Sequence, residues 1–416
     1  ERTYELVDGM FRTLRECLRT NIVNIGMDEA DLLGLGKYLT LHGYRDRFSI
    51  LMEHLRRVSE MAKKYGFELL MWGDMFFRLA GGDYFTNFNQ DPELGEIPEK
   101  IKQLVPENVQ LVYWDYFSRE QQRYEKNIDA HNAIKSESWF AGGLWTWAGF
   151  APHNAFAIAT MREAMRACRA KGVENVVMTM WGDNGAECSK FAVLPALFMV
   201  AQMARGIDDE ETIHANFEKE FGIPFEDFRA LDLAGTQNDS AEAIYNPEKY
   251  LLYCDPFMGQ FDNRVKPADA AGYADCAARL AVYADHAEYG YLFRSLRALC
   301  AFLSVKADLG IRTRAAYLSG DKKAAKALCT DYDAALERLD VFYAAYEQQW
   351  MHENKPQGFD VVDLRIGGQR QRLLHCRDRL LAYAEGRLDR IEELEEPVLD
   401  CCCEEKADGQ ATRAIF

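Results

Sequence analysis

The chain of 416 residues is long enough for two or three domains with a large core. Its formal net charge of −17 comes without any basic run, which argues against nucleic acid and anionic membranes as partners and disfavours phosphorylated substrates. The sequence contains no run of 18 apolar residues, so it predicts no membrane-spanning helix.

The cysteine pattern indicates free thiols in a reducing cytoplasm. Eleven cysteines are scattered along the chain, and three of them form a run at 401–403 inside an acidic tail. That run lacks the C-x-x-C spacing of zinc sites, and no His, Asp and Glu cluster has ligand spacing, so we expect no metal and no cofactor. The chain opens at Glu1 in a helical pattern without Met, and we expect that upstream residues have been lost.

Residues 1–205 alternate between helices and short apolar strands. Helical patterns cover 1–20, 46–65, 98–105, 118–135 and 154–171, and strands cover 21–27, 67–72, 109–113, 139–147 and 175–181. This alternation predicts a parallel sheet of the α/β class with helices on its faces. A closed (β/α)8 barrel of the TIM type needs eight strands. We therefore predict the last five units of such a barrel, with the first three strands missing from this chain.

The sequence after residue 205 predicts an α-helical domain over 206–396. Long Ala- and Leu-rich stretches at 269–288, 289–318, 321–350 and 368–393 read as four packed helices. Residues 350–365 read as a polar, aromatic loop, which is either a plain connection or a segment that reaches a neighbouring subunit or the ligand. A homodimer formed through this domain is a hypothesis. Residues 397–416 are expected to be a disordered tail.

Every one of the five predicted strands ends in acids, aromatic residues or both. A lone Trp is more often packing and a lone Asp more often a helix cap, an objection that weighs most on Asp74 and Asp183. Five such strand ends together are much less easily explained as coincidence, and they lie where barrels have their active sites. Flat aromatic side chains beside acids at these ends favour a site for a sugar. The predicted ligand-binding residues are Trp72, Asp74, Tyr113, Trp114, Tyr116, Trp145, Trp147, Trp181, Asp183 and Glu187.

Adjacent carboxylates at Asp28 and Glu29 are the candidate catalytic groups. They follow the first strand with no Lys or Arg nearby, and their repulsion should raise the proton affinity of one of them, as a general acid requires. Successive strand residues point to opposite faces, so both acids can serve one pocket only if the backbone bends at 26–29.

These residues resemble a known family. The G-x-D-E run at 26–29 is similar to the H-x-G-x-D-E motif of family 20 glycoside hydrolases, the β-N-acetylhexosaminidases. The runs MWGDMFF at 71–77, YWDY at 113–116, LWTWAGF at 144–150 and MWGDNGAE at 180–187 resemble a bacterial branch in which a helical domain follows the barrel. Two departures stand out: Asn24 occupies the position of the motif's His, and the Arg of the family's first strand has no counterpart.

The resemblance implies exo-acting hydrolysis of terminal β-linked N-acetylhexosamine with retention, in which the substrate's own acetamido oxygen is the nucleophile. Glu29 would be the general acid and then the base, Asp28 would accept the acetamido N–H, and Tyr116 or Tyr113 would bind the acetamido oxygen. Trp72, Trp145 and Trp181 would surround the sugar ring, while Glu187 and Asp183 would hold its outer hydroxyls.

Three alternatives remain open. An incomplete barrel could be a non-catalytic sugar-binding relic. A chitinase-type hydrolase would need a D-x-x-D-x-D-E-like run, which the sequence lacks. A phosphate-binding barrel would use a Gly-rich loop near its last strands, but the acids beside Gly182 and Gly185 would repel phosphate.

Overall fold

The computed structural model describes residues 2–80, 102–235 and 246–398. The chain divides into two compact units, one of Glu1–Gly143 with Ala159–Thr179 and one of Leu144–Ile158 with Met180–Phe416. The loop expected at 81–84, the first half of the helix expected at 98–105 and the tail from 399 onward lie outside the described residues. No helix within the described ranges is long and apolar enough to cross a membrane.

The first unit contains a parallel five-stranded sheet whose strands lie in chain order. The strands are β1 (Ile22–Asn24), β2 (Glu68–Trp72), β3 (Val109–Trp114), β4 (Trp139–Gly143) and β5 (Val176–Thr179). Ile22 pairs with Glu68, Leu69 with Val109, Val112 with Trp139, and Phe140 with Val176. Parallel neighbours in sequential order, each joined through a helical connection, form a half-barrel sheet consistent with a partial (β/α) barrel. The complete eight-stranded barrel stays a prediction.

Helices alternate with the strands of this unit along the chain. They are α1 (Arg2–Cys17), α2 (Lys37–His42), α3 (Arg47–Lys64), α4 (Asp74–Ala80), α5 (Gln121–Asn132) and α6 (Asn154–Ala170), the last beginning in the second unit. Asp46 caps α3 by accepting the Ser49 N–H at 2.7 Å. Leu51, Leu55, Phe67 and Met71 belong to one buried cluster between helices and sheet, which fixes the strand ends that carry the polar residues.

Three strands end earlier than predicted, because the chain continues from each of them into a loop. β1 stops at Asn24 instead of residue 27. β4 stops at Gly143 instead of residue 147, and the Trp145 carbonyl accepts the His153 N–H at 3.0 Å, which closes a loop rather than a ladder. β5 stops at Thr179, two residues before Trp181. The ends of β4 and β5 leave the sheet where the chain passes from the first unit to the second.

The second unit is helical. Its α-helices are α7 (Leu194–Ala204), α8 (Glu210–Phe221), α9 (Phe225–Phe228), α10 (Pro247–Tyr253), α11 (Asp269–Leu280), α12 (Gly290–Lys306), α13 (Leu309–Leu318), α14 (Lys322–Glu353), α15 (Phe359–Ala384) and α16 (Glu392–Glu395). Short 3-10 turns cover Asp183–Gly185, Lys190–Val193, Arg229–Ala234, Asp262–Arg264 and Ala281–Tyr283. The long helix α14 packs against α12, α13 and α15 through buried residues such as Leu339 and Phe342.

Several predicted features of this unit were wrong. The helix predicted over 269–288 ends at Leu280, and the helix predicted over 368–393 ends at Ala384. The single helix predicted over 289–318 is divided at residues 307–308, next to Pro256, whose carbonyl oxygen would lie 3.0 Å from a Cβ added to Gly310. The loop predicted over 350–365 is confined to 354–358, because α14 continues to Glu353 and α15 begins at Phe359. A left-handed Gly358, with φ of 97°, makes this tight turn possible.

Candidate active site

The backbone bends sharply after β1. The β1–β2 ladder continues to Gly26, whose carbonyl accepts the Trp72 N–H at 3.1 Å. Positive φ angles then follow at Gly26 (73°), Met27 (72°) and Glu29 (48°). Non-glycine residues rarely adopt this conformation, and where they do, a functional site is a common reason. The bend that the Asp28–Glu29 pair required is therefore present, and both side chains are exposed.

Asn24, at the position of the motif's His, has a local structural role. Its side-chain Oδ1 accepts the Gly26 N–H at 2.8 Å, two residues further along the chain. Such a turn stabilises the departure of the chain from the strand.

Asp74 joins the ends of three neighbouring strands. It is fully buried, and its Oδ2 accepts the backbone N–H of Glu29 at 3.2 Å while its Oδ1 accepts the indole N–H of Trp114 at 3.1 Å. As the first residue of α4, it lies directly after β2, whereas Glu29 follows β1 and Trp114 ends β3. One carboxylate thus fixes the backbone of the candidate acid and one aromatic wall.

Burial raises the pKa of Asp74 to about 6, the nearby Asp28 carboxylate raises it further, and the hydrogen bonds from Trp114 and Glu29 act in the opposite direction. The two N–H donors favour the ionised form of Asp74, whereas burial and the Asp28 charge favour the protonated form. With a pKa of about 6, Asp74 changes its charge close to neutral pH. The structure places this predicted ligand-binding residue beneath the site, where it contacts Glu29 and Trp114.

The two tyrosines of the YWDY run lie in different surroundings. The Tyr113 hydroxyl donates to Asp115 at 2.9 Å and accepts from Asn127 at 3.0 Å, and its ring packs against Tyr124 and His131 of α5. Tyr113 is therefore part of the layer between the sheet and α5.

Tyr116 packs against Trp114, which donates its indole N–H to Asp74. Its ring centroid is 5.1 Å from that of Trp114, with 30° between the ring planes. Because Trp114 donates to Asp74, which accepts from Glu29, the structure brings Glu29, Asp74, Trp114 and Tyr116 into one connected group.

In the second unit, two predicted tryptophans form an aromatic pair. The rings of Trp145 and Trp147 lie 4.3 Å apart with 32° between their planes, and Phe156 contacts Trp145 edge-on at 5.1 Å. Trp145 is buried, whereas Trp147 is partly exposed. Such an offset pair holds one indole as a rigid support for the other.

Trp181 and Asp183 lie on an exposed loop that is held at its beginning by polar contacts. The Trp181 side chain is 40% exposed, and its carbonyl accepts from Thr146 Oγ1 at 2.8 Å and from Lys190 Nζ at 2.5 Å. Asp183 is also exposed, at the start of the Asp183–Gly185 turn. Burial lowers the pKa of Lys190.

Glu187, like Asp74, has a carboxylate bound inside the protein, but its partners are two cations. Its side chain is only 4% exposed, with Oε2 at 2.5 Å from Lys249 Nζ and Oε1 at 3.3 Å from Arg365 Nη1. Burial raises the pKa of Glu187, and the two cations oppose that rise. The role of Glu187 as a ligand of sugar hydroxyls stays a prediction, and its carboxylate already has two charged partners.

Metal binding finds no support in the described residues. Among residues 2–80, 102–235 and 246–398, no group of three or more His, Cys, Asp or Glu side chains could hold a metal ion.

Comparison with known proteins identifies the helical part. Residues 224–413 match the family model of the Glycoside Hydrolase 20C C-terminal domain. This match supports the resemblance to family 20 glycoside hydrolases. No curated protein matches the chain.

One similar solved structure is that of a GH138 enzyme targeting pectin rhamnogalacturonan II. The similarity covers 93% of this chain and 65% of that one, at 10% identity and a TM-score of 0.36. This chain therefore spans slightly less than two thirds of the length of that enzyme.

The family 20C domain supplies buried charges that were not predicted as site residues. Glu248, on α10, accepts the N–H groups of Phe150 and Ala151 at 2.9 and 3.2 Å, and Asp232 accepts those of Asn154 and Ala155 at 3.0 and 2.8 Å. These two acids hold the loop that follows Trp147.

A signal for these residues exists in the sequence. The run PEKYLLY at 247–253 places Glu248 and Lys249 in an otherwise apolar and aromatic helix, and all seven residues are buried. Charged residues are rarely buried unless they are paired. The partners of Glu248 and Lys249 lie dozens of residues away in the chain, and only the fold shows them.

Proposed function

We propose that the protein is an exo-acting β-N-acetylhexosaminidase that removes terminal β-linked GlcNAc or GalNAc with retention, using the substrate's acetamido oxygen as nucleophile. Membership of the C-terminal domain in family 20C supports glycoside hydrolysis. The observation that carries the proposal is the Glu29–Asp74–Trp114 group, which holds an exposed carboxylic acid beside aromatic walls at the strand ends.

In the first step, the acetamido oxygen attacks the anomeric carbon as the bond to the leaving oxygen breaks. Glu29 gives its proton to that oxygen, and Asp28 accepts the acetamido N–H, which balances the positive charge that develops on the oxazolinium. In the second step, Glu29 takes a proton from water, the water oxygen attacks the anomeric carbon, and the ring of the intermediate opens. The anomeric configuration is inverted twice and therefore retained.

Tyr116 is our choice for the acetamido oxygen. Its ring lies beside Trp114, whereas the Tyr113 hydroxyl has partners in the layer behind the sheet. Trp72, Trp145, Trp147 and Trp181 remain the proposed aromatic contacts of the sugar. Asp183 is our choice for its outer hydroxyls, because that side chain is exposed and Glu187 is buried.

The decisive experiment compares 4-nitrophenyl N-acetyl-β-D-glucosaminide, the matching galactosaminide and the plain β-D-glucoside. An acetamido nucleophile requires hydrolysis of one or both of the first two and none of the third, with proton NMR showing the β-anomer as the first product. Hydrolysis of all three at similar rates would refute substrate assistance.

Binding without turnover would indicate the sugar-binding relic. Calorimetric binding of N-acetylglucosamine together with inactivity on all three substrates would give that result. A cytoplasmic location and a homodimer remain proposals, which cell fractionation and light scattering test directly.

A further inference from the structure

We infer that Glu187, Lys249 and Arg365 form a positioning cluster through which the family 20C domain holds the loop of Trp181 and Asp183 in its sugar-binding conformation. That the ligand of this loop is a sugar rests on the proposed function. The anchoring itself is a property of the second unit alone.

The loop is fixed at its far end by three helices of the C-terminal domain. Lys249 belongs to α10 and Arg365 to α15, and each binds one oxygen of the Glu187 carboxylate. From α14, the Tyr346 hydroxyl donates to the Glu187 carbonyl at 3.0 Å. Two residues later, Ser189 Oγ donates to Glu353 of the same helix at 2.5 Å.

The turn that carries Asp183 lies directly over this cluster. Gly185 has a φ of 119°, and an added Cβ would lie 3.1 Å from Glu187 Oε1 and 3.4 Å from Arg365 Nη1. Ala186 follows with a positive φ of 53°. The unusual backbone at these two positions is maintained only as long as the contacts beneath it hold. A displacement of Arg365 or Glu187 should therefore change the backbone at Gly185 and, two residues earlier, the position of Asp183.

The charges of the cluster explain why it anchors a loop. Lys249 and Glu187 are only 1% and 4% exposed. Because a buried charge without its partner is strongly unfavourable, the ion pair holds both side chains in place. Tyr253 and Tyr346 lie close to the same carboxylate, and its charge raises the pKa of both phenols beyond the effect of burial. A sugar hydroxyl at Glu187 would have to compete with two cations, whereas Trp181 and Asp183 are exposed.

The test replaces Arg365 with Gln. This residue is 24% exposed, and its removal leaves the buried Glu187–Lys249 pair intact, so the variant should fold. Arg372→Gln is the matched control, because Arg372 lies on the same helix, is 27% exposed and binds Asp255 at 2.5 and 3.2 Å. Circular dichroism and thermal melting of both variants check the fold.

Two readouts separate positioning from general stability. Amide hydrogen exchange of peptides covering 180–189 should accelerate by roughly tenfold or more in Arg365→Gln and remain at the wild-type rate in Arg372→Gln. With 4-nitrophenyl N-acetyl-β-D-glucosaminide, Arg365→Gln should raise KM by about tenfold and change kcat by less than about threefold. Tyr346→Phe should show the same KM effect to a smaller extent.

Unchanged exchange of the loop in Arg365→Gln would overturn the inference. So would accelerated exchange with an unchanged KM, because the order of the loop would then have no consequence for binding. If the wild type hydrolyses no hexosaminide, the proposed activity fails separately, and calorimetric binding of N-acetylglucosamine replaces KM as the second readout.

Discussion

Replacement of Asp74 by Asn tests whether a buried charge maintains the candidate site. Asp74 accepts one N–H from Glu29 and one from Trp114, and burial raises its pKa from an ordinary 3.8 to about 6. Each pKa unit is worth about 1.4 kcal/mol, so the rise corresponds to about 3 kcal/mol. Asn keeps the size and one acceptor but does not titrate.

The sign of the effect follows from proton binding. Because the pKa of Asp74 is higher in the folded protein, the folded state binds more protons than the unfolded state between about pH 4 and 6. Wild-type stability therefore contains a contribution that is full below pH 4 and is lost as the pH rises through 6. Asp74→Asn lacks this contribution, so the variant should gain about 3 kcal/mol relative to wild type between pH 4 and pH 7.

The assay is urea unfolding of wild type and Asp74→Asn at pH 4, 5, 6 and 7, with the difference in the free energy of unfolding plotted against pH. Other carboxylates titrate in both proteins and cancel in the difference. Asp31→Asn is the matched control, since Asp31 is exposed and its carboxylate binds Arg78 at the surface. A difference that changes by less than about 1 kcal/mol across this range would refute a titrating, buried Asp74.

Four further substitutions test the site and the loop after Trp147. Glu29→Gln should lose about 10²–10⁴ in rate on a substrate with a poor leaving group and far less with a nitrophenolate, which needs no proton; equal losses would remove Glu29 as the acid. Tyr116→Phe should lower kcat/KM for hexosaminides with little change in stability, whereas Tyr113→Phe should cost about 1–3 kcal/mol of stability and leave KM unchanged, and steady-state kinetics with thermal melts would reveal the reverse pattern. Gly149→Ala should destabilise by about 1–3 kcal/mol, because its Cβ would collide with the buried Glu248 carboxylate; a melting temperature equal to wild type would contradict that crowding.

The local pattern of apolar residues predicted where the strands lie, but it could not predict which side chains contact one another. The apolar runs before Trp72 and Trp114 indicated β2 and β3 because buried parallel strands are apolar on both faces. The same rule predicted β4 to be too long, because the apolar residues from Leu144 to Trp147 belong to a loop of the second unit. Hydrophobicity reports burial, and it does not distinguish a strand from a loop supported by a distant carboxylate.

The candidate acids were predictable for a different reason than their support. Asp28 and Glu29 are adjacent, and both the pair and the required bend are visible in four residues. Asp74 was predicted as a ligand, but its role beneath Glu29 depends on strand register, which brings residues 45 positions apart into contact. Likewise, Glu187 is an acid in a motif, and only the packing of α10 and α15 shows its two cations.

The four backbone amides bound by Glu248 and Asp232 restrict how this protein can evolve by exchange of parts. The loop after Trp147 depends on acids that come 77 to 98 residues later in the chain. A gene fragment cut near residue 205 would encode these amides without their acceptors, so the natural unit of inheritance includes both. Recombination between relatives should keep residues 144–158 and the C-terminal helices from the same parent.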